Sequence, residues 1–389
     1  MDELFAAYDR VRPEANRFFE DAWFKKGNAY KLLEDFDTMR LHFKQFVEEY
    51  PQSPRLPEAI YWVGWTYLLE ENYREAQRVY WETIEKHGND PDKVTLTDVL
   101  AALPQVYAPE EEEGEQKLMT RLQLLKTRAS VANENVFAAR AGWARSSILE
   151  RKNPRASRSE LIDIREFVDP KTTTPRISVA VGEALLDAGA AQTAEDLLIE
   201  VRRWNPRAVE KGRIYRALAR IAVSKGEIDE AIKYFERFER EAFASIDLGE
   251  VKLEKAELLA VSGKEAEARA EWEAVLELPG ITAETKASSI IQLGDSFAKE
   301  GEHEKAIVFY ERVYVAYGKF GELNARAYWG RGQPLEELDL SREALETYEE
   351  LASREELKNF DETKNAAERI EVLRPRFPEG ESDPEEVSL

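Results

Sequence analysis

The 389-residue chain contains no cysteine, which excludes disulfides, thiolate metal sites, a cysteine nucleophile and a lipidated N-terminal cysteine. It has three histidines, His42, His87 and His303, and none has a second histidine or a converging carboxylate pair at ligand spacing. They read as helix-surface or packing residues, so no metal and no cofactor is expected. Positive charge is scarce: 55 Lys and Arg face 77 Asp and Glu, and the net charge of −22 opposes binding to nucleic acid or to an anionic membrane surface. No run approaches the ~18 consecutive apolar residues of a membrane span, so direct membrane insertion is not expected. Residues 1–17 lack the basic start, apolar middle and cleavage site of a leader. No G-x-x-x-x-G-K, G-x-G-x-x-G or G-x-S-x-G motif occurs, which leaves phosphate cradles and hydrolase elbows without local support and a non-enzymatic role as the expectation. What remains, 43% hydrophobic and 34% charged residues, suffices for a sizeable core, and the length alone would give two or three domains.

The sequence is periodic. A small or slender residue followed four positions later by a large one recurs as Met39/Phe43, Ala76/Tyr80, Ala194/Leu198, Ala231/Phe235, Ala268/Trp272, Ala306/Tyr310 and Ala344/Tyr348. The first members are 37, 118, 37, 37, 38 and 38 residues apart, and since 118 is close to three times 39, two degraded units fit between Ala76 and Ala194. Twelve residues before each first member stands Gly27, Gly64, Gly182, Ala219, Ala256, Gly294 or Gly332. Two antiparallel helices approach closely where both carry small side chains, with larger residues filling the space on either side. Short turns such as Lys225-Gly226-Glu227 and Ser262-Gly263-Lys264 separate the helices, and Pro51, Pro206, Gly280 or Gly318 closes many units. Each unit therefore reads as a helix hairpin.

The first unit, with Trp23, Gly27, Tyr30, Phe36, Met39, Phe43 and Pro51, resembles the tetratricopeptide repeat, and the resemblance runs over roughly residues 18–374. It implies an all-α, right-handed superhelical solenoid of about nine hairpins. The expected organisation is a capping helix in 1–17, two repeats in 18–91, two degenerate helix pairs in 92–170, five repeats with a capping helix in 171–374, and a disordered acidic tail in 375–389. In the degenerate stretch, Leu96–Tyr107 would pair with 114–128 and Asn133–Arg151 with Ser157–Val168, but signature positions there hold Pro104, Arg145 and Pro154. Repeat lengths of 37–38, with extra residues in links such as 50–57, resemble bacterial cell-envelope repeat proteins of the outer-membrane assembly lipoprotein and Tol-Pal accessory types. That likeness implies a periplasmic location if a leader was removed, and a cytoplasmic one otherwise.

By family register the first helix of each unit lines the concave face. This places Phe24 and Asn28 in the first unit, Tyr61 and Trp65 in the second, Arg213, Arg216 and Arg220 farther along, and Arg326 and Trp329 near the end on the partner-binding surface. The three arginines form a stripe that either meets carboxylates of a partner or is neutralised by Glu183 on one side and Glu250 and Glu257 on the other. Tyr61, Trp65 and Trp329 are either anchors for a partner or core residues. The resemblance does not extend to the carboxylate clamp of chaperone-binding members, since of the corresponding places Phe24, Asn28 and Trp62 only Asn28 matches, and Asn28 could still bond a peptide backbone. The Glu110–Glu113 run, with Glu115, lacks calcium-loop spacing and reads as a solvated acidic stretch, and Val387-Ser388-Leu389 has the form of a terminal peptide another domain could capture. The expected function is a non-enzymatic scaffold that binds a protein or peptide partner in the groove, with a structural subunit of an envelope or secretion assembly, or the regulatory part of a larger enzyme, as alternatives. Partner identity and oligomeric state are not legible.

Overall fold

A computed structural model describes residues 6–7, 18–242 and 247–377. Most of the stretch expected to hold an N-terminal capping helix, and residues 378–389 of the acidic tail, lie outside the described residues. The chain divides into two compact units, residues 1–217 and 218–389. The first holds helices α1 (Phe19–Leu32), α2 (Phe36–Glu49), α3 (Leu56–Leu69), α4 (Tyr73–His87), α5 (Leu96–Tyr107), α6 (Glu111–Val131), α7 (Asn135–Leu149), α8 (Pro154–Asp163), α9 (Pro175–Asp187) and α10 (Ala191–Trp204). The unit boundary falls within α11 (Lys211–Ser224). The second unit continues with α12 (Ile228–Glu241), α13 (Leu248–Val261), α14 (Glu265–Glu277), α15 (Ala283–Lys299), α16 (His303–Ala316), α17 (Gly321–Glu337), α18 (Ser341–Ser353) and α19 (Asp361–Leu373). The fold is all-α, a helical solenoid class, with no strand among the described residues.

One turn recurs at almost every hairpin. Its central residue is left-handed: Glu34, Glu71, Asn133, Gly189, Gly226, Gly263, Gly301 and Asp339 all have φ between 56° and 82°. The next N–H reaches back five residues to close the preceding helix, as from Asn72 to the Tyr67 carbonyl at 2.9 Å and from Lys264 to Leu259 at 2.9 Å. This is the Schellman geometry, which satisfies a helix-end carbonyl and reverses the chain in three residues. Where the following residue is Asp35 or Asn72, its side chain also caps the next helix by accepting from the N–H of Thr38 or Glu75.

The small-and-large pattern has a specific geometry. Where glycine stands seven residues before the turn, as at Gly27, Gly64, Gly182, Gly294 and Gly332, it meets the large residue nine after it. A Cβ at Gly27 would overlap the Phe43 ring, at Gly64 and Gly332 the rings of Tyr80 and Tyr348, and at Gly182 the Leu198 side chain. The glycine thus admits a bulky side chain from the opposite helix, rather than matching a small one as the sequence pattern alone implied.

The same register explains the degenerate stretch. The left-handed Asn133 lies between α6 and α7, so a tight hairpin joins those two helices, besides the packing of α5 with α6 and of α7 with α8 that the sequence led us to expect. Ala138 keeps the small place five residues after the turn. The sizes at the meeting point are exchanged: Lys126 replaces the glycine and Gly142 replaces the large residue, and the Lys126 stem passes over Gly142 to pair with Glu160. α5 packs on α3 and α4, and α8 on α7 and α9.

Long links leave carbonyls that no helix satisfies, and in the first unit buried cations supply the donors. Lys93, 3% exposed, donates to the Gln52 and Ser53 carbonyls. Arg140, with no exposed surface, donates to the carbonyls of Gly88, Asp90 and Lys93 at 2.8–2.9 Å and of His87 at 3.3 Å. Burial pushes the pKa of Arg140 down to about 10, against the pull of Asp90, so the guanidinium is charged at neutral pH.

The second unit contains a four-membered charge cluster. Lys252 and Lys255 of α13 both reach Glu271 of α14, at 2.7 and 2.6 Å, and Glu239 of α12, at 3.2 Å. Burial raises the Glu271 pKa, but hydrogen bonds and charge from the two lysines outweigh it and hold the carboxyl below its ordinary 4.5. A depressed carboxyl contributes stability that is present above its unfolded value and lost as pH falls through the folded one. Urea titrations of the chain are therefore expected to show the second unit losing stability as pH drops below about 4.5. Glu271→Gln is expected to lower stability by about 2 kcal/mol at neutral pH and to flatten that acid dependence.

Candidate functional site

Helices α3, α5 and α9 of the first unit line an open cavity of about 580 Å³. α3 contributes Glu58, Tyr61 and Trp62; α5 contributes Asp98, Ala101, Ala102 and Gln105; α9 contributes Arg176. These positions recur every three or four residues, so each helix presents one face. The α3 segment is positioned from behind, where Tyr80 fills the space under Gly64 and its hydroxyl donates to the Tyr61 carbonyl at 3.0 Å.

The walls combine aromatic rings with paired charges. Tyr61 and Trp62 meet edge to face at 5.1 Å between centroids, and Trp62 meets Trp65 at 5.6 Å. The Lys31 ammonium lies 4.5 Å from the Trp62 ring centre and 4.9 Å from that of Trp65. Glu58 accepts from both Arg55 Nε and Arg55 Nη2, at 2.8 and 3.0 Å. Arg176 donates to Asp98 at 3.0 Å while its guanidinium lies 4.9 Å from the centre of the Trp143 ring. Burial raises the Asp98 carboxyl above its ordinary value, opposed by Arg176 and reinforced by Glu58 and Glu210. Arg176 also lines a second cavity of about 390 Å³ with Trp143, Glu183 and Arg213. Aromatic surface and alternating charge thus run along the faces of α3, α5 and α9.

The structure distributes the sequence-predicted residues unevenly. Tyr61 lines the larger cavity and Arg213 the smaller. Asn28 is exposed, and Trp65 is half-buried against Phe36 and Trp62. Phe24 is not a surface residue: it is 3% exposed, packed against Phe43 and Phe46 and covered by the Arg55 guanidinium. Its ring fills the space between α1 and α2, so a partner cannot touch it directly. Arg213 forms a two-bond pair with Glu183, and Arg220 one with Glu254 at 3.0 and 2.6 Å. Arg216, between them, is half-buried. Arg326 pairs with Asp295 at 3.0 Å, and Trp329 packs on Tyr348 at 5.3 Å between centroids. The expected neutralisation by Glu183 is present, while on the other side Glu254 takes Arg220. The acidic run at 110–115 is drawn into pairs with Lys117 and Lys152.

Asp98 and Gln105 were missed. Family register assigned no groove positions to the degenerate stretch, although the three-to-four spacing of Asp98, Ala102 and Gln105 was a signal of a shared face.

Two tetratricopeptide-repeat models match the sequence, one over residues 21–53 and one over 212–240. These two stretches therefore match tetratricopeptide repeats. No curated protein sequence matches it. Among solved structures, the human IFIT1 dimer with PPP-AAAA is similar at 14% identity, covering 91% of this chain and 83% of that one, with a TM-score of 0.50. PilF of Pseudomonas aeruginosa is similar at 14% identity over 66% of this chain and 99% of that one, TM-score 0.42. MamA is similar at 18% identity over 54% of this chain and 98% of that one, TM-score 0.37. At 14% identity the likeness to IFIT1 concerns the fold alone. Among the described residues no helix is long and apolar enough to cross a membrane.

Proposed function

We propose that the chain is a non-enzymatic protein-interaction scaffold and that the first unit holds a peptide segment of its partner along the faces of α3, α5 and α9. The observation that carries this reading is the cavity of about 580 Å³ with Tyr61 and Trp62 on one side and Asp98 and Arg176 on the other. It has the size of a ligand site, its aromatic groups supply apolar area, and its charged groups fix orientation. Repeats of this family present such faces to other proteins, which supports the same role here.

The arginine stripe has a lesser place in this reading. Arg213 and Arg220 are 42% and 52% exposed in their side chains and already paired, so each pair is worth little to stability. Arg213→Ala is expected to change the unfolding free energy by less than about 1 kcal/mol in a urea titration.

The test uses Ala101, an exposed residue on the cavity wall. Ala101→Trp is expected to fill the cavity and weaken partner binding at least tenfold in isothermal titration, with helix content and melting temperature unchanged. Undiminished binding by the folded variant would remove the cavity from the function.

A further inference from the structure

The charges around the cavity indicate what kind of segment fits it. Two carboxylates, Glu58 and Asp98, and one guanidinium, Arg176, line the space. That guanidinium is already engaged, donating to Asp98 and lying over Trp143. An acidic segment would therefore face two carboxylates and an occupied cation. A basic segment would face two carboxylates, which are paired with Arg55 and Arg176 and outnumber the single guanidinium in the lining.

The rings point the same way. Lys31 holds its ammonium over both Trp62 and Trp65, so this molecule already uses these indoles to bind a cation. Tyr61 and Trp62 both line the cavity and present further aromatic surface to it. Thr95, also on the wall, has a hydroxyl shielded from solvent with no hydrogen-bond partner among the described residues.

We propose that the occupant of the cavity is a basic segment of a partner protein, with a lysine or arginine side chain lying on Tyr61 and Trp62 between the Glu58 and Asp98 carboxylates. This rests on the reading of the cavity as a peptide site and adds the chemistry of the peptide. Burial is the main cause of the raised Asp98 pKa; the smaller contributions of Glu58 and Glu210 are a negative potential that favours a cation. The chain's net charge of −22 would steer such a segment toward it without choosing the site.

The experiment is a selection with a random 12-residue phage-displayed peptide library against the full chain in 0.15 M salt, counter-selected against folded Ala101→Trp. The expected outcome is enrichment of peptides carrying lysine or arginine beside an apolar residue. Synthesised, they should bind at least tenfold more weakly to Asp98→Asn and to Glu58→Gln, each checked by circular dichroism and melting temperature. Acidic or neutral peptides that depend on an open cavity would overturn the basic-segment proposal and leave the peptide site standing. Basic peptides indifferent to both carboxylate variants would also overturn it, as attraction to net charge alone. If no peptide distinguishes the chain from Ala101→Trp, the underlying reading fails as well.

Discussion

Replacing Arg140 by methionine is expected to cost about 3–5 kcal/mol of stability in the first unit, measured as a shift in the urea midpoint. The side chain has no exposed surface, and its two terminal nitrogens supply the donors for the carbonyls of His87, Gly88, Asp90 and Lys93. Methionine fills a similar volume but leaves a turn of buried acceptors without partners, and an unsatisfied buried group costs far more than a made hydrogen bond returns. Arg140→Lys is expected to recover little of the loss, because one ammonium cannot span four carbonyls that a planar fork reaches together. The damage should spread along the links. The stretch Arg140 grips includes Lys93, which in turn holds the Gln52 and Ser53 carbonyls. Amide exchange should therefore quicken at 88–96 and at 52–56 together, and a change confined to α7 would contradict the linkage.

Gly64→Ala is the second large effect, and its sign is informative. In an isolated helix the substitution would stabilise by about 1 kcal/mol. Here the added Cβ would overlap the far end of the Tyr80 ring, which is fully buried. Overpacking of this kind costs about 1–3 kcal/mol. Displacing Tyr80 also pulls its hydroxyl from the Tyr61 carbonyl, so the shift reaches the cavity wall. Urea titration should show destabilisation, and peptide affinity should fall even where the variant is fully folded. Gly226→Ala tests a different use of glycine: no atom lies within 4 Å of its added Cβ, and the cost comes only from φ of +76°. That loss should stay near 1 kcal/mol and leave the first-unit cavity untouched.

The periodic parts of the fold were legible because the same constraint is written into each repeat. A glycine seven residues before a left-handed turn and a large residue nine after it are visible as a 16-residue spacing in Gly27/Phe43, Gly64/Tyr80 and Gly332/Tyr348. The degenerate stretch obeys the same register around Asn133, but Lys126 and Gly142 exchange sizes, so a search for glycine before a ring passes over it. The candidate site was legible by halves. Tyr61 could be placed by counting, whereas Phe24, at an equivalent place one unit earlier, is covered by Arg55 and belongs to the core. Nothing in the local pattern distinguishes the two, since the difference arises from a residue 31 positions away. Asp98 and Arg176 are 78 residues apart, and only the packing of α5 and α9 beside α3 brings them to one cavity.

The central claim, recognition through the face built by α3, α5 and α9, is tested most directly by purifying tagged wild type, Ala101→Trp and the Arg213→Glu, Arg216→Glu, Arg220→Glu variant from the native cell and identifying the bound proteins by mass spectrometry. The account predicts a partner, cross-linked to wild type at residues of the cavity, that is lost from Ala101→Trp while the folded variant otherwise behaves as wild type. The same partner, retained in full by Ala101→Trp and lost only from the arginine variant, would contradict it.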